Sequence, residues 1–82
     1  MIIYGSSLCS DTIDAIEELK QKNIAFQFRD FCEDLAALKE FMAIRDESHL
    51  FEEIKDEKKI GIPCFVLSDG IVTLDIKDVI KD

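Results

Sequence analysis

The stretch MIIYGSSLCSDTIDAIEELKQKNIAFQFRDF, residues 1–31, determines the fold class. Its apolar run Ile2–Tyr4 predicts a short buried strand, and the polar residues after it predict a loop. From Ser10 the apolar residues recur at helical spacing, which predicts an amphipathic helix that stops near Asn23. Residues 24–31 alternate between apolar and polar side chains, which predicts a second strand. Strand, helix and strand within about 30 residues form one βαβ unit.

The remainder of the chain predicts more helices and a hairpin. Residues 34–45 have the period of a second helix, and Ser48 is placed to cap a further helical stretch. Cys64–Leu67 and Ile71–Leu74, separated by a turn sequence, predict a β-hairpin, and residues 76–80 predict a short final helix. The predicted apolar positions of the first two helices are Ile13, Ile16 and Leu19, and then Leu35, Leu38, Phe41 and Met42.

Length and element order predict one α/β domain over residues 1–82, with a four-stranded mixed sheet flanked by helices. A content of 48% hydrophobic and 34% charged residues is typical of a soluble globular protein. The formal net charge of −8 argues against nucleic acid and against anionic membrane surfaces as partners, since both need clustered Lys and Arg.

Cysteine usage indicates the compartment. The three cysteines are an odd and sparse set, which does not predict a secreted disulfide framework or a zinc site. Residues 1–5 lack the features of a signal peptide, and no apolar run is long enough to span a bilayer. A reducing cytoplasm is therefore the predicted location.

Cys9 is the candidate nucleophile. It follows a strand and a loop and begins a helix, where unpaired backbone amides and the positive end of the helix dipole favour the reactive thiolate. The nearby carboxylates of Asp11 and Asp14 oppose this effect. The alternative role for Cys9 is that of a small buried apolar residue. Thr12, one helical turn later, either donates a hydrogen bond to the thiolate or is an ordinary helix residue.

Gly61-Ile62-Pro63 is the second distinctive segment, because the single proline of the chain opens a predicted strand. Cys9-Ser10-Asp11-Thr12 at a helix start, followed by Ile62-Pro63 before a hairpin and a final helix, resembles the glutaredoxin family of the thioredoxin-like superfamily. The resemblance covers essentially the whole chain. It is strongest to small bacterial glutaredoxin-related proteins, in the segments Tyr4–Cys9 and Gly61–Leu67.

The resemblance implies a thioredoxin-like (glutaredoxin) fold and thiol–disulfide exchange through Cys9. It also implies that Pro63 is cis and packs beside Cys9, and that the backbone of Ile62 pairs with a substrate peptide or with glutathione. Asp78 matches an acidic residue near the amino end of glutathione. Thr12 replaces the second cysteine of the usual dithiol motif, so a monothiol mechanism is expected, on glutathione mixed disulfides or a protein disulfide with glutathione as co-substrate.

The chain also differs from that family. A basic residue near Ser6 and Ser7, which would hold a carboxylate of glutathione, is absent, and so is the Gly-Gly pair that precedes the residue matching Asp78. The alternative hypothesis is a non-catalytic binding module on the same fold, either a protein adaptor or a glutathione-assisted carrier of an iron–sulfur cluster. No metal site built from the protein's own side chains is expected, and the oligomeric state is left open.

Two more cysteines and one histidine have candidate roles. Cys32, at the end of the second strand, and Cys64, after Pro63, are candidate resolving thiols. The preferred interpretation of Cys32 is a partly buried residue at a strand end, and that of Cys64 is a residue that packs within a strand. His49 would be needed near Cys9 for a Cys–His hydrolase, and its polar helical context disfavours that role.

Overall fold

The computed structural model describes residues 1–81 and confirms the predicted order of elements. The strands are β1 (Ile2–Gly5), β2 (Gln27–Asp30), β3 (Cys64–Val66) and β4 (Val72–Thr73). The α-helices are α1 (Ser10–Gln21), α2 (Leu35–Glu47), α3 (Glu52–Asp56) and α4 (Ile76–Ile80), and a 3-10 helix, His49–Phe51, leads directly into α3. Ser48 caps this 3-10 helix, because its side chain accepts a hydrogen bond from the backbone N–H of Leu50.

The four strands form one mixed sheet in the order β2-β1-β3-β4, which confirms the α/β prediction. β1 pairs with β2 in parallel and with β3 antiparallel, and β3 and β4 form the predicted hairpin. In the parallel pair Gly5 lies opposite Asp30, the last residues of their strands. The loops that follow β1 and β2 therefore leave the sheet side by side at one edge.

β2 is shorter than the predicted strand, and β1 limits its length. The ladder begins with Ile2 opposite Gln27, and the N–H of Gln27 donates to the carbonyl of Met1. β1 has no further strand residue that could pair with residues 24–26, so β2 does not extend over them. Ile24 and Phe26 still pack against the core.

The sheet separates two hydrophobic clusters. The aliphatic cluster, covered mainly by α1, consists of Ile3, Ala15, Ile16, Leu19 and Phe65. The aromatic cluster, covered by α2 and the 3-10 helix, consists of Tyr4, Phe41, Phe51 and Cys64. Alternation along β1 produces this division, since Ile3 and Tyr4 point to opposite faces of the sheet.

Both long helices bury a different set of side chains from the predicted one. Helix α1 buries Thr12, Ala15, Ile16 and Leu19, and Ile13 remains 38% exposed. Helix α2 buries Ala37 and Phe41, whereas Leu35 is 64% exposed and Met42 40% exposed. Leu35 and Met42 are seven residues apart, so they lie on the same side of the helix axis. That side is rotated by about 100° around the axis from the side that carries the buried Phe41. The predicted positions Ile13, Leu35 and Met42 were therefore wrong.

The helices are short. Within residues 1–81 none combines the length and the apolar character that crossing a membrane requires.

Candidate active site

Cys9 is the N-cap residue of α1, as the sequence predicted. Its backbone is extended (φ −95°, ψ 117°), and its carbonyl accepts the first helical hydrogen bond, from Ile13 at 3.1 Å. Its N–H donates to the carbonyl of Ser6 at 3.0 Å, which closes the loop between β1 and α1. The thiol is half-buried and forms no capping hydrogen bond within the described residues. It is therefore available at the amino end of the helix.

Asp30 holds the loop that precedes Cys9. Its Oδ1 accepts hydrogen bonds from the backbone N–H of Ser7 at 3.1 Å and of Cys32 at 3.0 Å. Burial raises the pKa of Asp30, but the hydrogen bonds from Cys32 and Ser7 outweigh this effect and hold the pKa below its usual value. The ionised carboxylate thus ties the loop after β1 to the loop after β2.

Thr12 lies under the end of β1. It is completely buried, and its Oγ1 has no hydrogen-bond partner within residues 1–81. A Cβ atom on Gly5 would lie 2.6 Å from this Oγ1, so glycine at position 5 allows α1 to approach the strand. A hydrogen bond from Thr12 to Cys9, one of the two roles that the sequence left open, is not formed among the described contacts.

The segment Gly61–Pro63 is shaped by contacts with the aromatic side of the sheet. The Ile62–Pro63 bond is cis, as the resemblance implies, and Gly61 has a φ of +93°. A Cβ on Gly61 would lie 2.8 Å from the ring of Phe51, so both its backbone conformation and its packing require glycine. Arg45 of α2 fixes the preceding residues by donating to the carbonyls of Lys59 at 2.7 Å and Ile60 at 3.0 Å.

These two segments line one open groove with a volume of about 1180 Å³. Cys9 contributes to it from the start of α1, and Ile62 and Pro63 contribute from the segment before β3. Asp78 also lines the groove, but its Oδ2 already accepts a hydrogen bond from Thr73 Oγ1 at 2.6 Å. Four of the predicted site residues therefore share one surface, whereas Thr12 does not line it.

Cys32 and Cys64 have contrasting environments, and the three cysteines are all free thiols. Cys32 is exposed, and its Sγ lies 3.1 Å from Oγ of Ser6, in the loop before Cys9. Cys64 is completely buried in the aromatic cluster, and this burial raises the pKa of its thiol to about 12. A thiol with that pKa stays protonated near neutral pH, which favours the packing role for Cys64.

His49 lies outside the groove. Its side chain is 93% exposed, and its Nδ1 is 2.9 Å from a carboxylate oxygen of Glu52. Across residues 1–81, no group of three or more His, Cys, Asp or Glu side chains is arranged to hold a metal ion.

Sequence reasoning missed several residues of this site. Asp30 could have been found, because a βαβ unit places the ends of its two strands together and Asp30 ends the second strand. Arg45 gave no signal, since it is one of several charged residues in its helix. Lys58 and Lys59 belong to a charge-rich run that predicts a solvated helix face, yet both line the groove.

Comparison with known proteins places the chain in a family. It is 31% identical over 75 residues to a protein of Haemophilus influenzae described as an uncharacterized protein, and the alignment covers 92% of this chain and 87% of that relative. The chain belongs to the same family as this relative. No family model and no solved structure matches the chain.

Proposed function

We propose that the chain has a thioredoxin-like fold of the glutaredoxin kind and acts as a thiol–disulfide oxidoreductase through Cys9. The order of elements and the mixed sheet β2-β1-β3-β4 support the fold. The strand–loop–Cys–helix arrangement of residues 2–21 supports the role of Cys9.

One observation carries this proposal: Cys9 and the Ile62–Pro63 segment line the same groove. The N–H and the carbonyl of Ile62 take part in no backbone hydrogen bond within residues 1–81. An extended substrate chain can use these free groups in the way that a strand pairs with a sheet edge. A disulfide in that chain would then lie beside Cys9.

The proposed chemistry is a monothiol exchange. The Cys9 thiolate attacks one sulfur of a mixed disulfide, a new S–S bond forms to Cys9, and the other sulfur leaves as a thiolate with the electron pair of the broken bond. An external thiol, for which we propose glutathione, then attacks the adduct. This second step breaks the S–S bond to Cys9, regenerates its thiolate and forms a disulfide between the external thiol and the bound group.

The groove offers Cys9 both favourable and opposing electrostatics. Cys9 is the N-cap residue of α1, where free N–H groups and the positive end of the helix dipole favour a negative charge. The carboxylates of Asp11 and Asp14 line the same groove and oppose a negative charge. Lys58 and Lys59 also line the groove and supply positive charge, with which a carboxylate of glutathione could pair.

The test is glutathione-dependent reduction of a glutathionylated peptide. We expect turnover by the wild type and by Cys32→Ser, and complete loss of turnover in Cys9→Ser. The reason is that Cys9 lines the groove, whereas Cys32 and Cys64 do not. Loss of turnover in Cys32→Ser as well would assign Cys32 a resolving role. A wild type without activity would overturn the proposal and favour a binding module, and a brown protein after anaerobic purification would then identify the iron–sulfur carrier.

A further inference from the structure

One side of helix α1 carries three carboxylates into the groove. Asp11, Asp14 and Glu18 are exposed and all line it, and their spacing of three and four residues places them in one row. None of the three forms an ion pair or a side-chain hydrogen bond within residues 1–81. Asp11 lies in the first turn, where the helix dipole favours a carboxylate, but like charges at this spacing repel each other within the row.

The row is matched in length to a polypeptide segment. From Asp11 to Glu18 the helix rises by roughly 10 Å, which corresponds to about three residues of extended chain. It begins two residues after Cys9 and lines the same groove, so a chain whose disulfide meets Cys9 can pass along it. The unpaired backbone groups of Ile62 on the groove surface likewise suit a polypeptide better than a small cation.

Three of the four other charged groove residues, Asp75, Asp78 and Lys59, have contacts that the row lacks. Asp75 accepts a hydrogen bond from the N–H of Lys77, and Asp78 accepts one from Thr73. Lys59 lies 3.4 Å from Glu57. The five carboxylates of the groove outnumber its two lysines, and those of α1 are the ones without a partner inside the described chain.

Exposed apolar side chains accompany these charges. Leu8 is 87% exposed, Ile60 58% and Leu50 43%, and all three line the groove. The aliphatic stems of Lys and Arg side chains pack on apolar surface while their charged ends reach carboxylates. A basic segment can therefore use both features of the surface at once.

We propose that the groove binds disulfide-bearing polypeptide segments in which Lys or Arg residues flank the cysteine. This proposal rests on the disulfide exchange proposed above and adds the class of protein substrate to it. Glutathione itself carries two carboxylates and one amino group, so its net charge does not complement the α1 row. The basic residues of a mixed disulfide would belong to its protein half.

Binding can be measured without the chemistry. The probes are two short labelled peptides of identical length with a central serine, one flanked by lysines and the other by glutamates. We expect the wild type to bind the lysine peptide about tenfold more tightly at low ionic strength, as three exposed charge pairs would produce. This preference should shrink in about 0.5 M salt, which screens exposed charges.

The decisive variant is Asp11→Asn/Asp14→Asn/Glu18→Gln, which keeps side-chain size and removes three charges. Its matched control is Glu33→Gln/Glu47→Gln/Glu53→Gln, which changes the net charge equally at exposed residues outside the groove. Loss of the preference in the first variant only supports the proposal. Equal binding of the two peptides by the wild type, or an equal loss in both variants, overturns it.

A separate measurement tests the chemistry on which the proposal rests. The rate at which wild-type Cys9 reacts with a small uncharged disulfide does not depend on charge pairing between a substrate and the α1 row. A wild type that reacts but shows no peptide preference disproves the substrate class alone. A wild type that prefers the lysine peptide but does not react disproves the exchange function and leaves a binding module for basic segments.

Discussion

The two faces of the sheet differ in composition, and each positions one half of the candidate active site. On the aliphatic face, Ile16 and Leu19 hold helix α1 against the sheet, and this packing places Cys9 at the start of the helix. On the aromatic face, Phe51 packs under Gly61 and Arg45 binds the carbonyls just before it. The Ile62–Pro63 segment is thus held from one face and the thiol from the other, and the groove joins them.

The aromatic face also has a polar border centred on Glu40. Glu40 accepts hydrogen bonds from Tyr4 at 3.1 Å and from Arg29 at 2.7 Å, and Arg29 reaches Asp34 at 3.3 Å. The hydrogen bond from Arg29 holds the pKa of Glu40 below its usual value. The two halves of the site therefore depend on different interactions and can be perturbed separately.

The largest effect is expected for Phe51→Ala, which removes a completely buried ring that packs edge-on against Phe41 at 5.7 Å. We expect the free energy of unfolding to fall by about 4 kcal/mol, because a large cavity opens in the aromatic cluster. Urea denaturation measures this change. Met42→Ala on the neighbouring helix is the control, since Met42 is 40% exposed and should change the free energy by less than about 0.5 kcal/mol. Equal costs for the two variants would contradict the assigned core.

Gly5→Ala perturbs the other half of the site and should cost about 2 to 3 kcal/mol. The new Cβ would collide with Oγ1 and Cγ2 of Thr12, at 2.6 and 2.7 Å, and would push the start of α1 away from β1. The double variant Gly5→Ala/Thr12→Ala should recover part of the lost stability, since it removes both colliding atoms. Purely additive costs in this double-mutant cycle would show that the two residues do not determine the approach of the helix.

The reactivity of Cys9 gives a second way to perturb one half of the candidate active site without the other. In a Cys32→Ser background, we expect Gly5→Ala to change the rate at which iodoacetamide alkylates Cys9. Phe51→Ala should change this rate much less, because Phe51 packs under Gly61 and not under α1.

The smallest effect is expected for Asp30→Asn, a loss of about 1 kcal/mol at neutral pH. The folded-state pKa of Asp30 is lowered, so its ionised form stabilises the fold above the unfolded-state pKa of about 3.9. That contribution is lost as the pH falls through the folded-state pKa. The difference between wild type and Asp30→Asn should therefore be constant from about pH 7 to 5 and vanish in acid, as unfolding measured across this range would show.

Much of the fold could be predicted from local patterns in the chain. The alternation in residues 24–31, the helical period after Ser10 and the turn before Ile71 reproduced the order of elements, since each depends on neighbouring residues only. The buried sides of the helices were less predictable. Helix α1 buries the polar residue Thr12, whereas helix α2 exposes the apolar residues Leu35 and Met42. The way in which each helix approaches the sheet decides which of its sides is covered.

The candidate site divides in the same way. Local sequence is sufficient to place Cys9 at the cap of a helix after a strand and Ile62-Pro63 before a hairpin, because capping and strand ends are local features. The family resemblance implied that Pro63 lies beside Cys9. The folded chain adds that Cys9, Ile62 and Pro63 share one groove with the carboxylates of α1 and with Lys58 and Lys59. Their proximity depends on contacts between residues far apart in the chain, among them Thr12 with Gly5 and Phe51 with Gly61, and no local pattern encodes such contacts.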